Sequence, residues 1–203
     1  MKLEEIQRFL PNYLSSESKD ELFEEIKKFI NKGDSDKIFT TFLLDQKTIF
    51  QGDGMKGFKF FSFEKEEIKI SNGIVLSNTC DISLENERLY PNQILFSPII
   101  SLKKYTDLLE KNGINEQKLK SHIDSIRNQE ITTIFYLPAT SNNFEESIVF
   151  LDRISNMRNS REVANQLLDG RMFTLSNFGF YLFLLKISVH FTRIKEGVDR
   201  RSA

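Results

Sequence analysis

The sequence predicts an α+β fold: a small, mainly antiparallel β-barrel or bent sheet with peripheral helices. Three observations lead there. Between residues 38 and 100, short apolar runs rich in β-branched and aromatic residues follow one another at turn-length spacing. Helical patterns flank and follow that stretch without the regular βαβ alternation of a parallel sheet. The chain also carries 19 Phe and no Trp. Phe brings large buried area and no polar handle, so most of these rings belong to a core.

The elements follow in order. Residues 3–9 suit a short helix stopped by Pro11. Ser18 and Glu21 form an S-x-x-E capping box ahead of Leu22, Phe23, Ile26, Phe29 and Ile30, with Gly33 as the stop. Strands are expected at 38–44, 58–63 and 67–70, with Ile68 and Ile70 on one face. The continuous apolar runs 74–76 and 94–100 read as strands buried on both faces. Turns are expected at Gly52-Asp53-Gly54, Asn72-Gly73 and Pro91-Asn92, with Asn72-Gly73 the strongest hairpin signal. Ser101 caps a helix bearing Leu102, Tyr105, Leu108 and Leu109 that ends at Asn112-Gly113. Asn115 caps the next, with Leu119, Ile123 and Ile126 on its apolar face. Strands return at 131–137 and 147–154, a short helix covers 161–168, and Ser176 caps a last helix over 177–193. The tail after it is expected to fray.

This organisation reads as one domain over 1–203. It has a helical N-terminal segment (1–33), a β-rich core (38–100 and 131–175), a helical insertion (101–128) and a C-terminal helix (177–193).

Composition narrows the function classes. The net charge is −1, so no global field draws in nucleic acid or anionic lipid. One cysteine and two histidines, His122 and His190, cannot supply the ligands of a Cys/His zinc site. No cofactor or metal is expected. The N-terminus lacks the pattern of a signal peptide, and residues 178–191 are too short to span a bilayer, which takes roughly 20 apolar residues. A cytoplasmic protein without membrane contact is the expectation.

Few motifs carry chemistry. Gly52-Asp53-Gly54-Met55-Lys56-Gly57 matches G-x-G-x-x-G, but it runs into a strand pattern instead of opening a helix. A glycine-rich turn is the better reading. Cys80 sits in the polar cluster Ser77, Asn78, Thr79, Asp81, directly after an apolar run. A Cys80 nucleophile needs a base, for which His122 and His190 are the candidates. The simpler reading is a strand end where short polar side chains bond local backbone. Basic residues gather late in the chain: Arg153, Arg158, Arg161, Arg171, Lys186, Arg193, Lys195, Arg200 and Arg201. Interleaved acids favour a solvated mixed-charge face. Arg153, Arg158 and Arg161 stand apart because Ile154-Ser155-Asn156-Met157 between them holds no acid.

Gly52-Asp53, then Gly73-Ile74-Val75-Leu76-Ser77-Asn78, then Ile94-Leu95-Phe96-Ser97-Pro98-Ile99-Ile100-Ser101 resembles the strand order of PemK/MazF-like proteins. Glu146 to Ile154 is similar to a later strand of that family. The resemblance covers about half the chain, in pieces. It implies an SH3-like barrel, metal-independent RNA cleavage and an antitoxin partner. The family's arginine precedes the first of these strands, where this chain has Ser71-Asn72. Lys69 is the nearest substitute cation, and Ser101 lies near the second catalytic position.

Together these point to an RNA-related protein of the toxin–antitoxin or phage-defence kind, either a metal-independent endoribonuclease or a catalytically degenerate relative. Ser77, Asn78, Thr79 and Asp81 would line its groove, with Arg153, Arg158 and Arg161 on phosphates. The alternative is a non-catalytic, homodimeric or partner-binding module docking through the Phe-rich stretch 178–183.

Overall fold

The computed structural model describes residues 38–62, 65–86, 88–90, 92–140 and 144–191. The expected helices over 3–9 and up to Gly33, and the tail after the last helix, lie outside the described residues. Eight strands form one sheet: β1 (Phe39–Thr40), β2 (Gly54–Ser62), β3 (Glu67–Val75), β4 (Gln93–Ser101), β5 (Ile134–Leu137), β6 (Ser147–Phe150), β7 (Ser155–Arg158) and β8 (Arg171–Leu175). Their order is β1-β8-β2-β3-β4-β6-β5, with β7 also on β4. Every pairing is antiparallel. The end strands β1 and β5 do not pair, so the sheet is bent and open; of the two forms expected, it is not the barrel.

Five helices are described: α1 (Thr79–Ile82), α2 (Leu102–Lys111), α3 (Glu116–Arg127), α4 (Arg161–Asp169) and α5 (Asn177–Phe191). Ser101 and Asn115 cap α2 and α3 as the sequence indicates, and the Ser176 hydroxyl accepts the Gly179 N–H at 3.0 Å at the start of α5.

Strand alternation sorts the core into layers. On one face Ile74, Phe135, Leu137, Val149, Phe173 and Leu175 surround Phe178, Leu182, Phe183, Leu185 and Val189 of α5. On the other face Met55, Phe58, Val75, Ile94 and Phe96 pack under Ala164 and Leu167 of α4. Beside them Ile134, Tyr136 and Ile148 pack under Leu102, Leu119, Ile123 and Ile126 of α2 and α3. Ile74 and Val75 thus face opposite cores, which is why that run is continuously apolar. The same holds for β5 and β6. It fails for the start of β4, where Leu95 is 41% exposed because α5 does not reach that far.

β4 is the hinge of the sheet. Residues 93–96 pair with β7 and residues 99–101 with β6. Pro98 has no N–H to donate, and the chain between β6 and β7 leaves the ladder there. The Ser97 hydroxyl donates to the Phe150 carbonyl at 2.7 Å across the gap. The expected strand over 147–154 therefore stops at Phe150, and a separate strand, β7, starts beyond it at Ser155.

One turn and one strand differ from expectation. β3 runs straight through Asn72-Gly73, and the β2–β3 hairpin turns near Glu66, whose φ is 52°. Gly73 serves close approach instead: an added Cβ would lie 2.6 Å from the Phe58 ring, which stacks on Phe96 at 4.2 Å. The expected strand 38–44 shortens to Phe39–Thr40 and turns away. As expected, the glycine-rich stretch opens no helix. It leads into β2, where Gly57, at φ +92°, makes the bulge in the β2–β3 register.

Candidate functional site

The chain leaves β3 after Val75 and is fixed at once to β4. The buried Ser77 hydroxyl accepts the Leu95 N–H at 2.8 Å and reaches the Gln93 carbonyl at 3.4 Å. Asn78 caps the single turn of α1, accepting the Cys80 N–H at 2.9 Å. The Thr79 hydroxyl accepts the Gln51 N–H at 3.0 Å. Asn86 donates to the Cys80 carbonyl and Asn92 to the Asp81 carbonyl, both at 2.6 Å. Ser77, Asn78 and Thr79 are thus engaged with backbone, as the strand-end reading expects. Cys80 is exposed, and the exposed Asp81 carboxylate meets Arg88 at 2.9 Å. Neither histidine hydrogen-bonds Cys80 among the described residues: His122 pairs with Tyr105, and the His190 ring lies on Phe191.

The three singled-out arginines do not converge. Arg153 lies over the Phe150 ring, 4.1 Å from its centroid, on the side of α2 and α3. Arg158 stands opposite Gln93 in the β4–β7 ladder, on the exposed face it shares with Leu95 and Asn156. That is the opposite side of the sheet. Arg158 is the neighbour of the Ser77–Asp81 turn, because Gln93 bonds Ser77 and Asn159 donates to the Ile82 carbonyl at 2.9 Å. Arg161 follows the Ser160 cap as the first residue of α4. A cation there opposes the helix dipole, so helix formation gives no reason for it. Both Arg158 and Arg161 are exposed and make no ion pair among the described residues.

Ser101 and Lys69 lie apart. Ser101 is buried at the end of β4, pairs with Ser147 and caps α2. Lys69 sits on the outer half of β3, opposite Phe60 and 3.6 Å from Glu67. β4 turns toward β6 beyond Pro98 and never reaches that half of β3. The 178–183 stretch is also corrected as a docking face. Phe178, Leu182 and Phe183 are buried against the sheet.

Sequence reasoning passed over several groups. The Tyr105 hydroxyl lies 3.0 Å from His122 Nε2, with Phe150 edge-on and Arg153 beyond. Burial raises the Tyr105 pKa against the pull of Arg153. Glu146 forms a bidentate pair with Arg127 at 2.8 and 2.9 Å and accepts the Tyr136 hydroxyl at 2.6 Å. Arg127 holds the Glu146 carboxyl below its usual range. This pair edges a groove of about 730 Å³ between α2 and α3, with Leu102, Leu119 and Ile123 along it and acids outnumbering bases in its lining. That charge balance suits no phosphate. Helical spacing marks the apolar face of this groove, but nothing marks Glu146 as its ion partner.

Two buried cations are structural. The Arg171 guanidinium donates to the carbonyls of Leu43 (2.7 Å), Leu44 (3.0 Å), Gln46 (2.9 Å) and Thr48. Its Nε stands 3.3 Å from Asp53 Oδ2, too poorly aligned for a hydrogen bond. Asp53 is fully buried and accepts the Phe50 N–H at 2.9 Å, while Oδ1 has no partner. Burial pushes its carboxyl up to about 6, against the Phe50 amide and Arg171. Lys186 of α5 donates to the carbonyls of Gln129 (2.8 Å) and Ile131 (2.5 Å), just past the end of α3. Burial lowers its pKa to about 7.

Among the described residues no three or more His, Cys, Asp or Glu are placed to hold a metal ion, and no helix is long and apolar enough to cross a membrane. No protein-family model matches the chain, and no curated protein does.

Proposed function

We propose that this chain is an RNA-binding protein of the toxin–antitoxin or phage-defence kind, acting by binding and not by cleavage. The kind rests on the resemblance to PemK/MazF-like proteins. The binding surface is the Ser77–Asp81 turn with the end of β7 and the start of α4. The observation that carries it is the pair Arg158 and Arg161. Both are exposed and without ion partners among the described residues, and Arg158 neighbours a polar turn held by backbone contacts. Each exposed guanidinium can take a phosphate, Arg158 from the open face of β7 and Arg161 from the start of α4. Cleavage is left out because Ser101 caps a helix at a buried site and is separated from Lys69. Proton transfer at a scissile phosphate needs its groups within hydrogen-bond reach of one another's substrate atoms.

End-labelled single-stranded RNA with purified protein in EDTA tests this, scored for gel shift and for cleavage. A shift without cleavage is expected. Cleavage that survives EDTA would overturn the binding-only reading, and no shift would remove RNA as ligand.

A second reading, a protein-interaction module, is favoured by a different observation. The outer half of the β2–β3 hairpin bears Ile68 and Ile70 at 72% and 70% exposure. Two isoleucines bare side by side on one strand face form an apolar patch of the kind that favours a contact surface.

A further inference from the structure

The β2–β3 hairpin changes character along its length. Near its root, β3 is paired on both sides: Gly73, Ile74 and Val75 pair with β4 as well as belonging to the hairpin. Beyond the root, residues 67–71 pair, among the described residues, with β2 alone. That outer segment is a two-stranded ribbon with an open edge, a form that is marginal by itself in water. Open edges in stable monomers are usually blunted by charges, bulges or cover. Here Ile68 and Ile70, on the face of Ile74, lie bare where α5 no longer reaches.

The edge sequence Glu67-Ile68-Lys69-Ile70 is complementary to itself when run antiparallel. Centred on Ile68, such a pairing sets Ile68 against its own copy. It also sets Glu67 of each chain against Lys69 of the other. Cross-strand opposite charges and paired β-branched side chains stabilise a sheet in this arrangement. Within one chain Lys69 lies 3.6 Å from Glu67, with both side chains more than a third exposed. An exposed pair of that kind holds little energy, so exchanging it across a dimer axis costs little.

We propose that two copies of this chain associate through the open edge of β3, extending β2–β3 into a continuous four-stranded ribbon about a two-fold axis at Ile68. The closed two-fold is self-limiting. The proposal rests on the interaction reading above and uses none of the residues assigned to RNA.

The test is sedimentation equilibrium of the full chain and of Lys69→Glu, the swap Glu67→Lys/Lys69→Glu, and Ile68→Asp, with circular dichroism to confirm folding. All three positions are exposed or half-exposed, so folding is expected to survive. The wild type should dimerise. Lys69→Glu sets Glu against Glu at both symmetry-related contacts and should weaken the dimer by about tenfold or more. The swap should restore it, and Ile68→Asp should abolish it. A dimer indifferent to all three variants would overturn this interface while keeping the interaction reading. A wild type that stays monomeric as its concentration rises would overturn the proposal and remove self-association from that reading.

Discussion

Arg171 and Arg158 lie thirteen residues apart in the same basic stretch, and they could hardly be used more differently. Arg171 is buried, tied to four carbonyls of the segment before β2 and set beside the buried carboxylate of Asp53. Arg158 stands exposed on an open sheet face with no ion partner among the described residues. The first holds a loop against the sheet. The second does nothing for the fold that the contacts reveal. A cation that folding does not require is a better candidate for a ligand than one that folding consumes.

The largest effect should come from Arg171→Met. It leaves the four carbonyls unpaired and Asp53 as an uncompensated buried charge. Breaking a buried pair from one side costs about 3–5 kcal/mol, read as a fall in the denaturant midpoint. Adding Asp53→Asn should recover part of that loss, since it removes the stranded charge. If Arg171→Met is as stable as the wild type, the contrast with Arg158 fails.

Asp53 gives a pH test of the same site. Its folded pKa is about 6, above the ordinary 3.8, so between these values the folded chain binds more protons than the unfolded one. Stability should therefore fall as pH rises from about 4 to about 6, by on the order of 3 kcal/mol from this group. The difference between wild type and Asp53→Asn across that window isolates it. A flat difference would mean that Arg171 keeps Asp53 ionised throughout.

Lys186 should behave differently from Arg171, for among the described residues it has two carbonyl partners and no carboxylate. Replacing a buried ammonium by Met removes a desolvation cost and leaves two carbonyls unpaired. The net change should be within about 1 kcal/mol near neutral pH. Its folded pKa, about 7, is below the ordinary 10.5, so the unfolded chain binds more protons in that window. Wild-type stability should gain with pH there, and Lys186→Met should lose that gain in parallel melts.

These distinctions show what was legible. Helices α2 and α3 could be read almost to the residue, because Ser101 and Asn115 caps agree with apolar spacing. The buried runs at Ile74 and in β6 could be read because both faces are covered. Asn72-Gly73 misled, since local turn chemistry cannot reveal that the Phe58 ring lies on Gly73. The stretch 178–183 misled because a helix apolar all round is a core helix once a bent sheet wraps it. Within the site, the roles of Ser77, Asn78 and Thr79 at a strand end followed from their chemistry. The separation of Arg153 from Arg158 did not, because the departure of the chain at Pro98 moves Arg153 to the other face. Arg171 and Arg158 look alike in sequence, and only long-range contacts separate them.

The smallest effect on stability should be that of Arg158→Ala/Arg161→Ala, within about 0.5 kcal/mol as for exposed substitutions generally. The same double variant carries the central claim. Its affinity for single-stranded RNA, measured across a salt series beside wild type and Arg153→Ala, is the most direct test. The slope of log affinity against log salt should flatten by about 1.4, the loss of two phosphate contacts on a single strand. Arg153→Ala should keep the wild-type slope. An unchanged slope in Arg158→Ala/Arg161→Ala would contradict the assignment of this surface to RNA.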